Sequence, residues 1–91
     1  MRFEWDEAKR KENLLKHGVD FADVPPLFDG LTVTMFDDRF DYGEDRYITV
    51  GVIQGIVLTV AHTETDELIR LISARKATGY EEEGYFKQIR D

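Results

Sequence analysis

A chain of 91 residues and 10.6 kDa makes one compact domain, residues 1–91, and leaves no room for a second. It contains no cysteine, which excludes a disulfide scaffold, a cysteine nucleophile and a thiolate metal site. Its net charge of −7 weighs against a nucleic-acid surface, but the negative charge is local: residues 21–45 hold seven acidic groups and one basic, whereas residues 46–76 hold four basic and three acidic. Residues 1–6 have no apolar run of the secretory kind, and the longest apolar stretch, residues 56–61, is far too short to span a membrane. The expectation is a cytoplasmic domain.

In chain order, residues 3–5 read as a short opening strand, followed by Asp6 as a helix N-cap. Residues 7–17 are rich in helix formers, and Gly18 stands where a helix C′ residue is wanted. Ala8, Leu14 and Leu15 form a narrow apolar stripe, while Lys9, Asn13 and Lys16 share the opposite face. Phe21, Val24 and Phe28 predict a second short helix, with Pro25 and Pro26 tolerable only in its first turn. Residues 31–36 then alternate as a half-buried strand does.

An acidic loop, residues 37–45, leads to a strand over 46–53. Gln54-Gly55 forms a two-residue hairpin turn into a strand over 56–63. After a polar turn at 64–67 comes the last strand, 68–74, and Thr78 is placed to cap a helix running to about Ile89. The predicted architecture is α+β: an antiparallel sheet of four to five strands, with two N-terminal helices and one C-terminal helix.

The polar groups around the last two strands carry the chemistry. His62 lies near the end of one strand, Arg70 inside the next, and Ser73, Arg75 and Lys76 follow. Arginines inside a strand either face solvent or ring a phosphate, with an imidazole nearby for proton transfer. Register decides which groups meet. A three- or five-residue turn brings His62 together with Arg70, and a two- or four-residue turn brings it together with Ser73 and Arg75. Either way one arginine stands beside the histidine. The turn at Gln54-Gly55 pairs Tyr47 with His62, and Arg46 with Thr63.

His17, at a helix C-terminus, reads as an end-cap. The aspartates of the 37–45 loop do not match the calcium-loop spacing, and Glu81, Glu82 and Glu83 read as the solvated start of the last helix. Neither metal nor cofactor is expected.

Four blocks resemble a known family. Phe3-Glu4-Trp5-Asp6 with Asn13 and Lys16-His17-Gly18 is similar to the opening of BrnT-type toxins of type II toxin–antitoxin operons. The resemblance continues through residues 44–51 and 60–64, and is most specific at Ile72-Ser73-Ala74-Arg75-Lys76-Ala77. It implies a RelE-like fold and an endoribonuclease that cuts RNA without metal. It also implies a BrnA-type antitoxin as partner, and operator DNA bound only through that antitoxin. Carried over by position, it implies a catalytic set of His62, Arg70, Ser73, Arg75 and Lys76, with Arg46 and Tyr47 on RNA.

In that set His62 transfers protons, Arg70 and Arg75 grip phosphate oxygens as bidentate forks, Lys76 adds a point charge and Ser73 orients a phosphate oxygen. Replacing His62 or Arg75 by alanine is expected to abolish activity and leave the fold intact. Where family members commonly carry a basic helix start, this chain has Gly79-Tyr80-Glu81-Glu82-Glu83-Gly84. That departure supports an alternative: a weakened, non-enzymatic module of the same fold that binds the antitoxin and acts as co-repressor.

Overall fold

A computed structural model describes residues 1–90. Its elements are β1 (Arg2–Glu4), α1 (Glu7–His17), two 3-10 turns (Phe21–Asp23 and Pro25–Asp29), β2 (Val33–Asp37), β3 (Arg46–Ile53), β4 (Ile56–Glu64), β5 (Leu68–Lys76) and α2 (Gly79–Arg90). The five strands form one sheet in the order β1-β5-β4-β3-β2.

The architecture is α+β, with two corrections to the expected one. The sheet is mixed, because β1 pairs parallel to β5, with Phe3 opposite Ile69. A parallel partner needs a long crossover, and here the whole chain between β1 and β5 supplies it. The second N-terminal helix does not form. Pro25 and Pro26 have no N–H to donate, so the segment closes only short bonds, from Leu27 N to Val24 O (2.9 Å) and from Gly30 N to Leu27 O (3.3 Å).

Local chemistry explains the other boundaries. The Asp6 carboxylate accepts from the N–H groups of Ala8 (2.8 Å) and Lys9 (3.3 Å), and Gly18 closes α1 in the left-handed region at φ 71°. Gln54 and Gly55 both have positive φ (50° and 80°), as a type I′ hairpin turn requires. That turn sets Tyr47 opposite His62, as its two-residue length predicts.

One sheet face packs on the 3-10 turns, where Phe21, Val24 and Leu27 are fully buried against Leu58, Val60, Ile69, Leu71 and Ala74. Each such side chain contributes roughly 1.5–3 kcal/mol of burial. The other face is half covered by α2, through Tyr85, which packs on Val50 and Val57 and donates its hydroxyl to Leu31 O at 2.7 Å.

α1 docks by its polar side. Asn13 Nδ2 donates to Ala74 O (2.8 Å) and Val19 O (2.9 Å), while Asn13 Oδ1 accepts from Ala74 N (3.1 Å). The side-chain amide thus takes the place of a neighbouring strand at the half of β5 that β1 does not reach. The apolar stripe of this helix is left outward, with Leu15 89% and Leu14 45% exposed.

Candidate functional site

Side-chain parity along β5 changes at a bulge. Pairing with β4 runs from Glu64 opposite Ile69 to His62 opposite Leu71, then resumes with Ala61 opposite Ser73, so Ile72 has no partner. Without that extra residue Ser73 and Arg75 would share the His62 face. With it they turn to the other face, which already carries Arg70 opposite Thr63. The expectation that one arginine stands beside the histidine is therefore corrected: the pairing places Arg70 and Arg75 across the sheet from it.

The face with Arg70 and Arg75 also holds Arg46, and all three guanidiniums are held by carboxylates. Glu44 accepts from Arg46 Nε at 3.2 Å with one oxygen and from Arg70 Nη2 with the other. Burial alone would raise Glu44, but the hydrogen bonds and charges of Arg70 and Arg46 together pull it below its usual value. Arg75 grips Glu81 as a fork, at 2.7 and 2.9 Å. That hydrogen bond lowers Glu81 to about 2 and raises Arg75, against burial and the nearby charge of Arg39.

The acidic loop is built around the same kind of pairing. Asp37, with its side chain 2% exposed, accepts from Arg39 Nε (2.8 Å) and Nη2 (3.0 Å) and from the Tyr42 hydroxyl (3.1 Å). The Arg39 bond lowers Asp37 to about 2. Arg46 in turn lies 4.0 Å above the Tyr42 ring.

Glu81 does not belong to a solvated helix start. Its backbone N–H donates to Thr78 Oγ1 (3.1 Å) and its carboxylate accepts from Thr78 N (2.8 Å), a reciprocal cap, while Thr59 Oγ1 donates to it at 3.3 Å. The Thr78-x-x-Glu81 spacing carries this capping signal in the sequence. Nothing local in the sequence marks Glu44, which meets Arg70 from 26 positions away.

His62 lies on the core face and is 1% exposed. Its Nε2 pairs with Thr49 Oγ1 at 2.7 Å, and Thr49 Oγ1 pairs with Thr34 Oγ1 at 2.7 Å, so one polar chain ties β4, β3 and β2. Phe28, perpendicular to the ring, and Tyr47, stacked on it, enclose the imidazole at centroid distances of 5.2 and 6.0 Å, and Nδ1 has no hydrogen-bond partner among the described residues. Burial lowers the imidazole pKa, with the charge of Glu64 opposing it, so the ring is neutral near pH 7.

Tyr47 shares this face, which places it with His62 and away from the arginines. Lys76, opposite Leu58, lines a depression near the hairpin with Gly18, Asp20 and Gln54. Ser73 sits at the bulge and faces a depression shared with α1. Arg46 and Arg70 thus meet at Glu44, and Arg75 holds Glu81 further along the same face, opposite Thr59 rather than Thr63, with Ser73 between the two groups; His62, Tyr47 and Lys76 do not join them. The cluster can bind an oxyanion once a carboxylate yields its place.

Residues 5–81 match the family model for BrnT, described as the ribonuclease toxin of type II toxin–antitoxin systems. No curated protein matches the chain.

Proposed function

The chain belongs to the BrnT family of ribonuclease toxins of type II toxin–antitoxin systems, and from that premise we propose that it is a metal-independent endoribonuclease that cleaves RNA and so stops translation and growth. The observation that carries the reading is the family match over residues 5–81. The arginine face supports it, because phosphoryl chemistry without metal needs cations fixed around the phosphate.

In this reading Arg75 holds the scissile phosphate, Arg70 and Arg46 together hold a neighbouring one, and Ser73, between them on the same face, orients a phosphate oxygen. A base takes the 2′-hydroxyl proton and an acid protonates the leaving oxygen. His62 serves this face from behind, by holding β3 and β4 in register through Thr49. Tyr47 packs beside it, and Lys76 adds long-range positive charge.

Type II systems pair toxin with antitoxin, so an antitoxin is the partner. The proposal extends to a BrnA-type antitoxin that alone contacts operator DNA, and to the cytoplasm as the place of action. No helix among the described residues is long and apolar enough to cross a membrane.

One observation favours a second reading. Arg46, Arg70 and Arg75 each have a carboxylate partner, as they would in a chain that binds the antitoxin and no longer cuts RNA. Purified chain incubated with cellular RNA and EDTA separates the two. The enzymatic reading expects cleavage that survives the chelator and falls about a hundredfold in Arg75→Ala. Intact RNA beside folded wild-type protein would leave only the binding module.

A further inference from the structure

Beside the arginine face, with which it shares Ser73, the half of β5 that β1 does not cover forms a shallow depression of about 170 Å³ with α1. Lys9, Lys16 and His17 enter it from the helix, and Ile72 and Ser73 enter it from the bulge. Asn13 forms its floor, fully engaged with Ala74 and Val19, and among the described residues Glu12 is the only carboxylate lining it.

The contrast with the arginine face is in pairing. Arg46, Arg70 and Arg75 each sit on a carboxylate, whereas Lys9 and Lys16 have no ion-pair partner among the described residues. These lysines lie seven residues apart on one helix side, about 10 Å along the axis. Arg75 is two residues beyond Ser73 on β5, about 7 Å away, and the register gives them the same face. A chain of phosphates leaving the Arg75 fork therefore meets Ser73 next, then the lysines.

We propose that this depression is a second phosphodiester site, which holds the RNA backbone flanking the group at Arg75. Lys9 and Lys16 supply the counter-charge, and the Ser73 hydroxyl and the His17 imidazole donate hydrogen bonds. This inference rests on the ribonuclease reading. The sequence places His17 as an end-cap; the fold gives it a second employment, opening beside unpaired lysines rather than into the core.

The test is the salt dependence of binding to a 2′-O-methyl oligoribonucleotide, which cannot be cut through its 2′-oxygen, read by fluorescence anisotropy. Each phosphate contact on a single strand contributes about 0.7 to the slope of log affinity against log salt. Lys9→Gln/Lys16→Gln should lower the slope by about 1.4, so that wild type loses about sevenfold more affinity than the variant between 50 and 200 mM salt. Lys11→Gln/Lys87→Gln removes the same charge elsewhere and should keep the wild-type slope.

An unchanged slope in the first pair, or an equal fall in both pairs, overturns the site. Cleavage of the all-RNA oligonucleotide by wild type, measured alongside, keeps the two failures apart. Cleavage with an unchanged slope sinks the second site alone, and a wild type that neither binds nor cuts sinks the ribonuclease reading and the site with it.

Discussion

Arg75 and Glu81 meet as fork and carboxylate at 2.7 and 2.9 Å, and the same carboxylate caps α2 through Thr78 N at 2.8 Å. Glu81 thus occupies the position where a phosphate would sit on Arg75, while serving the first turn of a helix. Glutamine can keep the cap but carries no charge. Glu81→Gln should therefore bind RNA more tightly than wild type, while its melting temperature at neutral pH falls by what the pair with Arg75 contributes. Glu81→Ala should lose about 1 kcal/mol, measured by denaturant titration, because the cap goes too.

The same pair sets an acid limit. Arg75 holds Glu81 near 2 in the fold against an ordinary 4.5, so the unfolded chain binds the proton first. The pair's contribution is present above pH 4.5 and is lost as pH falls towards 2. Asp20 and Asp37 titrate in the same window, each held near 2 chiefly by an arginine hydrogen bond. The contribution of Glu81 is therefore the difference between wild type and Glu81→Gln. Identical acid melts for the two proteins would rule it out.

His62 acts at higher pH and with its own sign. Burial keeps it neutral in the fold below its ordinary 6.5, so acidification favours the unfolded chain, which takes the proton more readily. Stability should rise with pH through this range and level off above about 6.5, and His62→Gln should flatten the rise. The expectation that His62→Ala leaves the fold intact is replaced by a loss of stability, since the ring is fully enclosed and removing it leaves Thr49 short of a partner.

Gly51 lies over Leu27, and a Cβ there would stand 2.8 Å from Leu27 Cγ and 3.2 Å from Thr32 Cγ2. Gly51→Ala should cost about 1–3 kcal/mol by overpacking, read from the denaturant midpoint. A neutral result would mean that the 3-10 turns slide without cost.

Elements that depend on neighbours in sequence were legible. Asp6 and Gly18 cap α1 through bonds within a few positions, and Gln54-Gly55 fixes the Tyr47–His62 pair because a two-residue turn leaves no choice of register. The parallel pairing of β1 was not legible, since it depends on where the chain returns 66 positions later. The bulge was hidden too: Ile72 is an ordinary strand residue, and its lack of a partner emerges only when β4 and β5 are laid together. That one residue decides which face of the sheet Ser73 and Arg75 join. The docking of α1 ran against its apolar stripe, because one amide satisfying both Ala74 backbone groups outweighs two leucines left in water.

The attachment of α1 to β5 through Asn13 has a dynamic consequence. A helix with no buried apolar residue of its own is held by few apolar contacts, so it can detach while the sheet stays closed. The Ala74 amide, whose hydrogen bond goes to Asn13, would then exchange with solvent deuterium together with the α1 amides, well before those locked between β3 and β4.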